Sequence, residues 1–493
     1  MKALISVYNK EGIEEIAGFL KEKGWDIYAS SGTLKYLSEK NIEVYPLSSL
    51  GVTSEGLCGG RIKTLHPRIF ERILAQEKDE IEIFSIVIVN LYPFEEVLKK
   101  GGSEEEIIEN IDVGGVALIR AGVKNYKRVC VVVDPKDYKK IIEILKEKDE
   151  IPIEEKIKFA KKAILYTSYY DSLIYGFFES KIPFEFEDKI ILSGKKIYDL
   201  RYGENPHQKG AVYSFFNEDL NVLQGKILSY NNLLDIETAY SLVSEFEEPA
   251  CVIIKHTSPC GVAIGENIVE AFERAYLSDP ISAYGGIVGI NKICTKELAQ
   301  EIKEYYFEVL IAPEFENEAL SILKEKKNLR IVRSPFKNYK YHFRECNGFI
   351  IFQEKDLKTS LPSEWELKTW RKPKEEEIED LIFAWKVVKY VKSNGIVIAK
   401  AKRTIGIGGG GTSRIGSLEV AINKAKSFGL EVVGGVLASD GFFPFKDSIE
   451  LAGKNGIVAI VAPGGSIRDK EVIEEAEKEG ISLFFTKDRH FRH

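Results

Sequence analysis

The chain has 493 residues, 44% hydrophobic and 29% charged, with a formal net charge of -7. That length exceeds what one hydrophobic core organises, so two or three domains are expected, and the interleaved negative balance argues against a nucleic-acid-coating or membrane-surface role. Six cysteines without a C-x-x-C pair point to a reducing cytoplasm rather than to a disulfide framework or a zinc knuckle.

The opening KALISVY reads as a strand and EGIEEIAGFLKEKG as an amphipathic helix ending at Gly24; WDIYAS is the next strand and SGTLKYLSEKN the next helix. The first apolar run is too short for a signal peptide, and no stretch approaches eighteen apolar residues, so a soluble cytoplasmic protein is expected. FSIVIVNLYPF and RVCVVVDPKDY supply further buried strands, and a helical segment at 154–179 closes what reads as a doubly wound parallel sheet. KIPFEFEDKIILSGKKIYDL lacks sustained periodicity and places a domain boundary, giving domains 1–190 and 191–493. The second part holds strand candidates at 250–255, 286–290, 395–400, 431–438 and 457–462, separated by helical patterns. No internal repeat is evident.

Several stretches carry chemistry. Ser6 with Lys10, and Ser30, Gly32 and Thr33 in SSGT, stand at strand-to-helix junctions, where N–H groups and hydroxyls cradle phosphate or simply cap a helix. GGRIKTLHPR gathers Arg61, Lys63, Thr64, His66 and Arg68 behind two glycines, a density of cations that favours a phosphate or carboxylate site. IDVGGVALIRAGVKN puts Asp112 before a glycine pair and Lys124 at the end of a helical run, an acid and a base that could assist a dehydration. In ACVIIKHTSPCG a β-branched run closed by Pro259 and Gly261 reads as a buried parallel strand, with Lys255 and His256 at its ligand-facing end. An imidazole beside an ammonium suits acid/base work on an anionic substrate, but the dipeptide by itself fits better a core histidine bonded to a backbone carbonyl beside a lysine that snorkels to the surface.

GIGGGG formally matches G-x-G-x-x-G, but Glu431 opens the next strand instead of closing it; the glycines fit a close backbone approach to a ligand, and Ser413 and Arg414 follow in phosphate-cradle style. No Walker motif occurs. Pro259-Cys260 lacks the second cysteine and the H-x-E of a zinc deaminase, so no catalytic metal is expected. SDGFFPFKD exposes three phenylalanines around Pro444, a small core cluster or a slot for a flat heterocycle. The terminal DRHFRH would leave two arginines and two histidines idle if it merely frayed.

Taken in order, SVYNKEG, ASSGT, GGRIKTLHP, NLYPF, IDVGG, AGVKN, LRYGENPHQ, KHTSPCG, SRIG, SDGFFPF and RHFRH resemble the bifunctional purine-biosynthesis family that combines AICAR transformylase with IMP cyclohydrolase. The resemblance implies an α/β protein with a methylglyoxal-synthase-like N-terminal domain and a cytidine-deaminase-like C-terminal domain of two subdomains. It implies ring closure by Lys63, Tyr92, Asp112 and Lys124, with Ser6, Lys10, Ser30, Gly32, Thr33, Arg61 and Thr64 around the nucleotide. Lys255 and His256 would form the transformylase pair, assisted by Asn394; Arg201, Tyr202, Arg414 and Arg489 would hold the nucleotide, and Phe442, Pro444 and Phe445 would line the folate slot. The implied substrates are a nucleotide and 10-formyltetrahydrofolate, with room for a monovalent cation, in a homodimer whose transformylase sites lie at the subunit interface. Tyr8, Ser31, Glu308 and the Gln-less GGGGTSR depart from the family pattern, which predicts altered nucleotide affinity near Gly411 and Thr412.

Overall fold

Five short runs rich in apolar residues build the sheet of the first unit. In the computed structural model, which describes residues 1–52, 58, 61–182, 186–215, 221–333 and 340–493, these are β1 (Lys2–Val7), β2 (Asp26–Ala29), β3 (Tyr45–Pro46), β4 (Phe84–Asn90) and β5 (Cys130–Val132). Gly59 and Gly60 of the basic motif lie outside the described residues. All pairings are parallel, in the order β3-β2-β1-β4-β5. Side chains of β1 alternate between two cores: Ala3, Ile5 and Val7 pack with Ile13, Ile16 and Leu20, while Leu4 packs with Val87 and Leu118. Because the chain winds outward from β1 in one direction and then returns to β4 and β5 on the other side, the crevice beyond the carboxyl ends of β1 and β4 is the topological switch point.

The chain divides at Gly194, and the second unit runs from Lys195 to His493. It begins with the ribbon β6 (Lys195–Asp199) and β7 (Ala211–Ser214), followed by β8 (Val222–Gln224), β9 (Ala250–Lys255), β10 (Ser258–Ile264), β11 (Ile287–Ile290), β12 (Val309–Ala312) and β13 (Arg330–Arg333). A hairpin of β14 (Tyr341–Cys346) and β15 (Phe349–Glu354) separates these from β16 (Glu366–Leu367), β17 (Ile396–Ala399), β18 (Thr404–Gly408), β19 (Val436–Ser439), β20 (Ala459–Pro463) and β21 (Ser482–Thr486). The two sheets have the orders β10-β9-β11-β12-β13-β8 and β18-β17-β19-β20-β21-β16. Strand for strand, the order and the sense of pairing coincide.

The second unit is therefore a duplication, which corrects the expectation of no internal repeat. In each half the edge strand, β8 or β16, leads into a 14-residue helix, Tyr230–Val243 or Glu375–Val388. Asp235, Lys255 and Gly261 recur 145 residues on as Asp380, Lys400 and Gly406. One apolar core containing Ile236, Val252, Trp385 and Val397 runs through both halves.

Two strand expectations also change. Residues 250–255 form a strand, but it is antiparallel to both neighbours, and Pro259 and Gly261 lie inside β10 instead of ending β9. The cause is local: His256 (φ 52°) and Thr257 (φ 61°) reverse the chain in a two-residue left-handed turn. The strand expected at 431–438 begins only at Val436, after a turn at Gly434 (φ 78°), and Glu431 stands off it, paired with Lys400 at 2.9 Å.

Candidate active sites

In the first unit the carboxyl ends of β1, β2 and β4 bring four hydroxyl- or amine-bearing side chains together. Ser6 Oγ lies 3.1 Å from Ser30 Oγ, which is 3.4 Å from Thr33 Oγ1; Thr33 in turn exchanges hydrogen bonds of 3.2 Å with the backbone of Val7. Lys10 reaches back to the carbonyls of Val7 and Tyr8, and burial lowers its pKa. Asn90, at the end of β4, was not foreseen, yet it clamps the loop after β1. Its Oδ1 accepts from Tyr8 N at 2.6 Å and Asn9 N at 2.9 Å, and its Nδ2 donates to Asn9 O at 2.9 Å. Gly32 stands exposed in the first turn of the helix Ser31–Glu39. A cluster of donors with one cation at a helix start is the arrangement that binds phosphate.

Across the same crevice stands the helix Gly114–Lys124. Asp112 accepts from Gly115 N at 2.6 Å and from Tyr92 N at 3.3 Å, while its own N–H donates to Tyr170 Oη at 2.8 Å. Burial pushes the Asp112 carboxyl up; the two backbone N–H groups and the charge of Lys63 draw it partly back. Thr64 is buried against the helix start, its Oγ1 only 2.6 Å from where a side chain on Gly114 would begin. Tyr92 meets Tyr8 edge to face at 5.9 Å, closing the two sides of the crevice on each other.

Two of the expected residues fall elsewhere. Lys124 is exposed at the far end of the 11-residue helix, whose rise of 1.5 Å per residue sets its backbone roughly 16 Å from that of Asp112. Sequence proximity to Asp112 suggested otherwise because the reading ignored the rise of the helix. Arg61 is spent on an exposed ion pair with Glu109.

In the second unit the turn between β9 and β10 places Lys255 and His256 side by side. Lys255 Nζ donates to Tyr284 O, and among the described residues no carboxylate pairs with it. His256 is exposed at the apex, and the Thr257 N–H donates to Asp235. Beside them Tyr284 and Tyr306 form an exposed aromatic pair with ring centres 5.0 Å apart. That pair was missed because neither tyrosine belongs to the KHTSPCG motif.

The second half of this unit builds another cluster where β17 begins and β18 and β19 end. Arg414 is buried; it donates to Asp440, to Ser439 Oγ at 2.7 Å and to Asn394 Oδ1 at 3.0 Å. Asn394 Nδ2 donates to Gly411 O at 3.1 Å. Arg414 thus has its charge matched by a fully buried carboxylate and positions Asn394, where a nucleotide contact was expected. Ser413 caps the helix Arg414–Ser427, accepting from Gly416 N at 3.2 Å.

The glycine run serves packing first. A side chain on Gly406 would begin 2.2 Å from Ala421 O, one on Gly408 1.9 Å from Ser417 O and one on Gly409 2.6 Å from Lys392 O, whereas around Gly410 nothing stands within 4 Å. Phe443 is buried, leaving Phe442 and Phe445 exposed around Pro444, with the Arg468 guanidinium 4.7 Å over Phe445. The C-terminal tail is docked: His490 N donates to Asp440 O at 3.0 Å, and Arg492 Nη2 to Thr238 Oγ1 at 2.8 Å. Arg489 stays exposed over Phe491. Arg201 stacks beside Tyr202 at 5.9 Å in the loop ahead of β7.

Phosphate-type donors and a desolvated carboxylate at a sheet switch point, with a lysine–histidine turn on a duplicated α/β scaffold later in the chain, are the features of a two-unit α/β enzyme acting on an anionic substrate. Residues 12–117 match the MGS-like domain and residues 122–424 the AICARFT/IMPCHase bienzyme. The chain is 46% identical to the bifunctional purine biosynthesis protein PurH of Caldicellulosiruptor saccharolyticus, covering 100% of this chain and 99% of that one. It is 47% identical to PurH of Persephonella marina (100% and 99% covered) and 46% identical to PurH of Aquifex aeolicus (100% of both). The chain belongs to the AICARFT/IMPCHase bienzyme family: it is a bifunctional formyltransferase and cyclohydrolase of purine biosynthesis. Its substrates are a nucleotide and a folate.

Proposed function

We propose that the two reactions are divided between the two units, with 10-formyltetrahydrofolate as the formyl donor. In the second unit His256 takes a proton from the exocyclic amine of AICAR as its nitrogen attacks the formyl carbon. That lone pair is delocalised into the ring, so a positioned base is what the reaction requires. Lys255 neutralises the tetrahedral oxyanion and protonates N10 of the departing tetrahydrofolate. In the first unit the carboxamide nitrogen of FAICAR attacks the formamide carbon, and the formamide oxygen leaves as water. Lys63, Tyr92 and Asp112 handle the protons, while Ser6, Lys10, Ser30, Gly32, Thr33 and Thr64 hold the phosphate end. Arg201, Tyr202 and Arg489 contact the nucleotide in the second unit, Asn394 assists there, and Phe442, Pro444 and Phe445 stack on the folate.

The observation that carries this reading is the convergence at one sheet switch point of the Ser6–Ser30–Thr33 hydroxyls and the desolvated Asp112. Assembly of two copies is supported by the ribbon β14–β15, which leaves Phe349, Ile350 and Ile351 exposed. The test is to supply AICAR with 10-formyltetrahydrofolate to the wild type, His256→Ala and Asp112→Asn and to identify the nucleotide products. The expected results are IMP, no formylated product, and accumulated FAICAR in turn. FAICAR closure surviving in Asp112→Asn overturns the first-unit assignment.

A further inference from the structure

The turn that carries His256 is an unusual one for its residues. His256 and Thr257 both adopt left-handed φ values, 52° and 61°, a region that L side chains avoid and that a β-branched threonine avoids most. Two-residue hairpin turns of this hand are ordinarily built from Asn-Gly. What offsets the strain here is Asp235, half-buried on the helix Tyr230–Val243: its carboxylate accepts from Thr257 N. Successive backbone N–H groups in such a turn form a concavity that binds an anion. Burial pushes the Asp235 carboxyl up, and the Thr257 N–H with the neighbouring His256 ring draws it partly back. Glu308 also faces it, itself held by Asn232 Nδ2 at 2.8 Å and Arg330 at 3.8 Å, and Lys255 lies on the same hairpin.

The duplication supplies an internal comparison. In the second half, Ala401 and Lys402 adopt φ 53° each, and Asp380 accepts from both N–H groups. The carboxylate and its turn have been kept at the same spacing, while the imidazole is present in the first copy only.

We propose that Asp235 is a positioning residue of formyl transfer: it holds the His256–Thr257 turn in the form that presents the imidazole, and its charge steadies the imidazolium formed when His256 accepts the amine proton. This rests on the reading of His256 as the base.

The test compares Asp235→Asn with Asp380→Asn in the full-length protein, assaying formyl transfer to AICAR and, separately, closure of supplied FAICAR. Asp235→Asn is expected to lower kcat for formyl transfer about 10–100-fold with little change in KM for AICAR, to move the acid limb of the pH–rate profile to lower pH, and to leave FAICAR closure untouched. Asp380→Asn is expected to leave formyl transfer and its pH limb as in the wild type. Adding Thr257→Gly to Asp235→Asn relaxes the turn and should restore part of kcat without restoring the limb. A wild-type kcat and limb in Asp235→Asn, or an equal loss in Asp380→Asn, overturns the inference. Should Asp235→Asn alone not fold, the double variant is read in its place, and a wild-type acid limb there is the overturning result. Formyl transfer retained by His256→Ala refutes the base assignment instead, a result distinct from any obtained at Asp235.

Discussion

Arg414 separates two readings of the second unit, because a nucleotide-binding arginine and a framework arginine fail differently. Its guanidinium donates to Asp440, Ser439 and Asn394, and the side chains of Arg414 and Asp440 are 6% and 0% exposed. Arg414→Met removes the cation and leaves a carboxylate fully desolvated, with Ser393 as its one remaining side-chain donor among the described residues. Breaking a buried pair from one side costs about 3–5 kcal/mol. For a unit of this size, at about 2 °C per kcal/mol, the unfolding temperature should fall by roughly 6–10 °C. Asp440→Asn in the same chain removes the stranded charge, so the double variant should recover a substantial part of the loss, giving a coupling energy readable from a double-mutant cycle. The assay is calorimetric unfolding of the wild type, both single variants and the double variant, with AICAR binding measured on each. Arg61→Met serves as control, since the Arg61–Glu109 pair is exposed and its loss should leave the unfolding temperature unchanged. An Arg414→Met protein of wild-type stability that no longer binds AICAR would refute the framework reasoning and return Arg414 to the nucleotide.

Asn90→Ala orphans the N–H groups of Tyr8 and Asn9 inside the first-unit crevice, which should cost about 1–3 kcal/mol and raise KM for FAICAR more than it lowers kcat, as steady-state kinetics and thermal unfolding would show. Asp112 carries a raised carboxyl, so its protonation favours the folded state: the stabilisation is present below the ordinary carboxylate range and is lost as pH rises through the raised value. The stability of the wild type relative to Asp112→Asn should therefore increase between about pH 7 and about pH 4, and unfolding midpoints equally spaced at both pH values would contradict it. Gly261→Ala and Gly406→Ala each drive a methyl to within 2.0 Å and 2.2 Å of a helix carbonyl, of Ala275 and Ala421 respectively. Both should destabilise the second unit by at least about 1–3 kcal/mol in denaturant titrations, and a neutral effect of either would contradict the close strand–helix contact.

The first unit was readable because its chemistry sits at strand ends. KALISVY and FSIVIVNLYPF announce buried strands by composition, and the small polar residues that follow mark the loops where a parallel sheet places its ligand. What stayed hidden there is geometric. Lys124 follows Asp112 closely in sequence, yet the helix between them spaces their backbones apart; Asn90 looked like one more strand residue, and only the register of β4 beside β1 sets its amide against the loop after β1. In the second unit, GIGGGG invites a ligand reading because glycine marks close approach without saying what approaches. The structure supplies Ala421 and Ser417 carbonyls as the answer for Gly406 and Gly408.

The duplication escaped notice for a related reason. What the two halves share is a sparse set of geometric necessities: an aspartate that fills a left-handed turn, a lysine before that turn, and a glycine where a strand crosses a helix. Such positions recur 145 residues apart, too thinly to register as similarity, but they are the ones the fold cannot exchange. The halves then diverged in charge. Lys400 is neutralised by Glu431 at 2.9 Å and followed by Ala401, whereas Lys255 donates to a backbone carbonyl, has no carboxylate partner among the described residues, and is followed by His256. An ammonium without a counter-ion beside an exposed imidazole can meet an incoming oxyanion, while one already paired has little left to give. One scaffold therefore carries a lysine–histidine turn in one half and, in the other, a lysine already paired with Glu431 and followed by alanine.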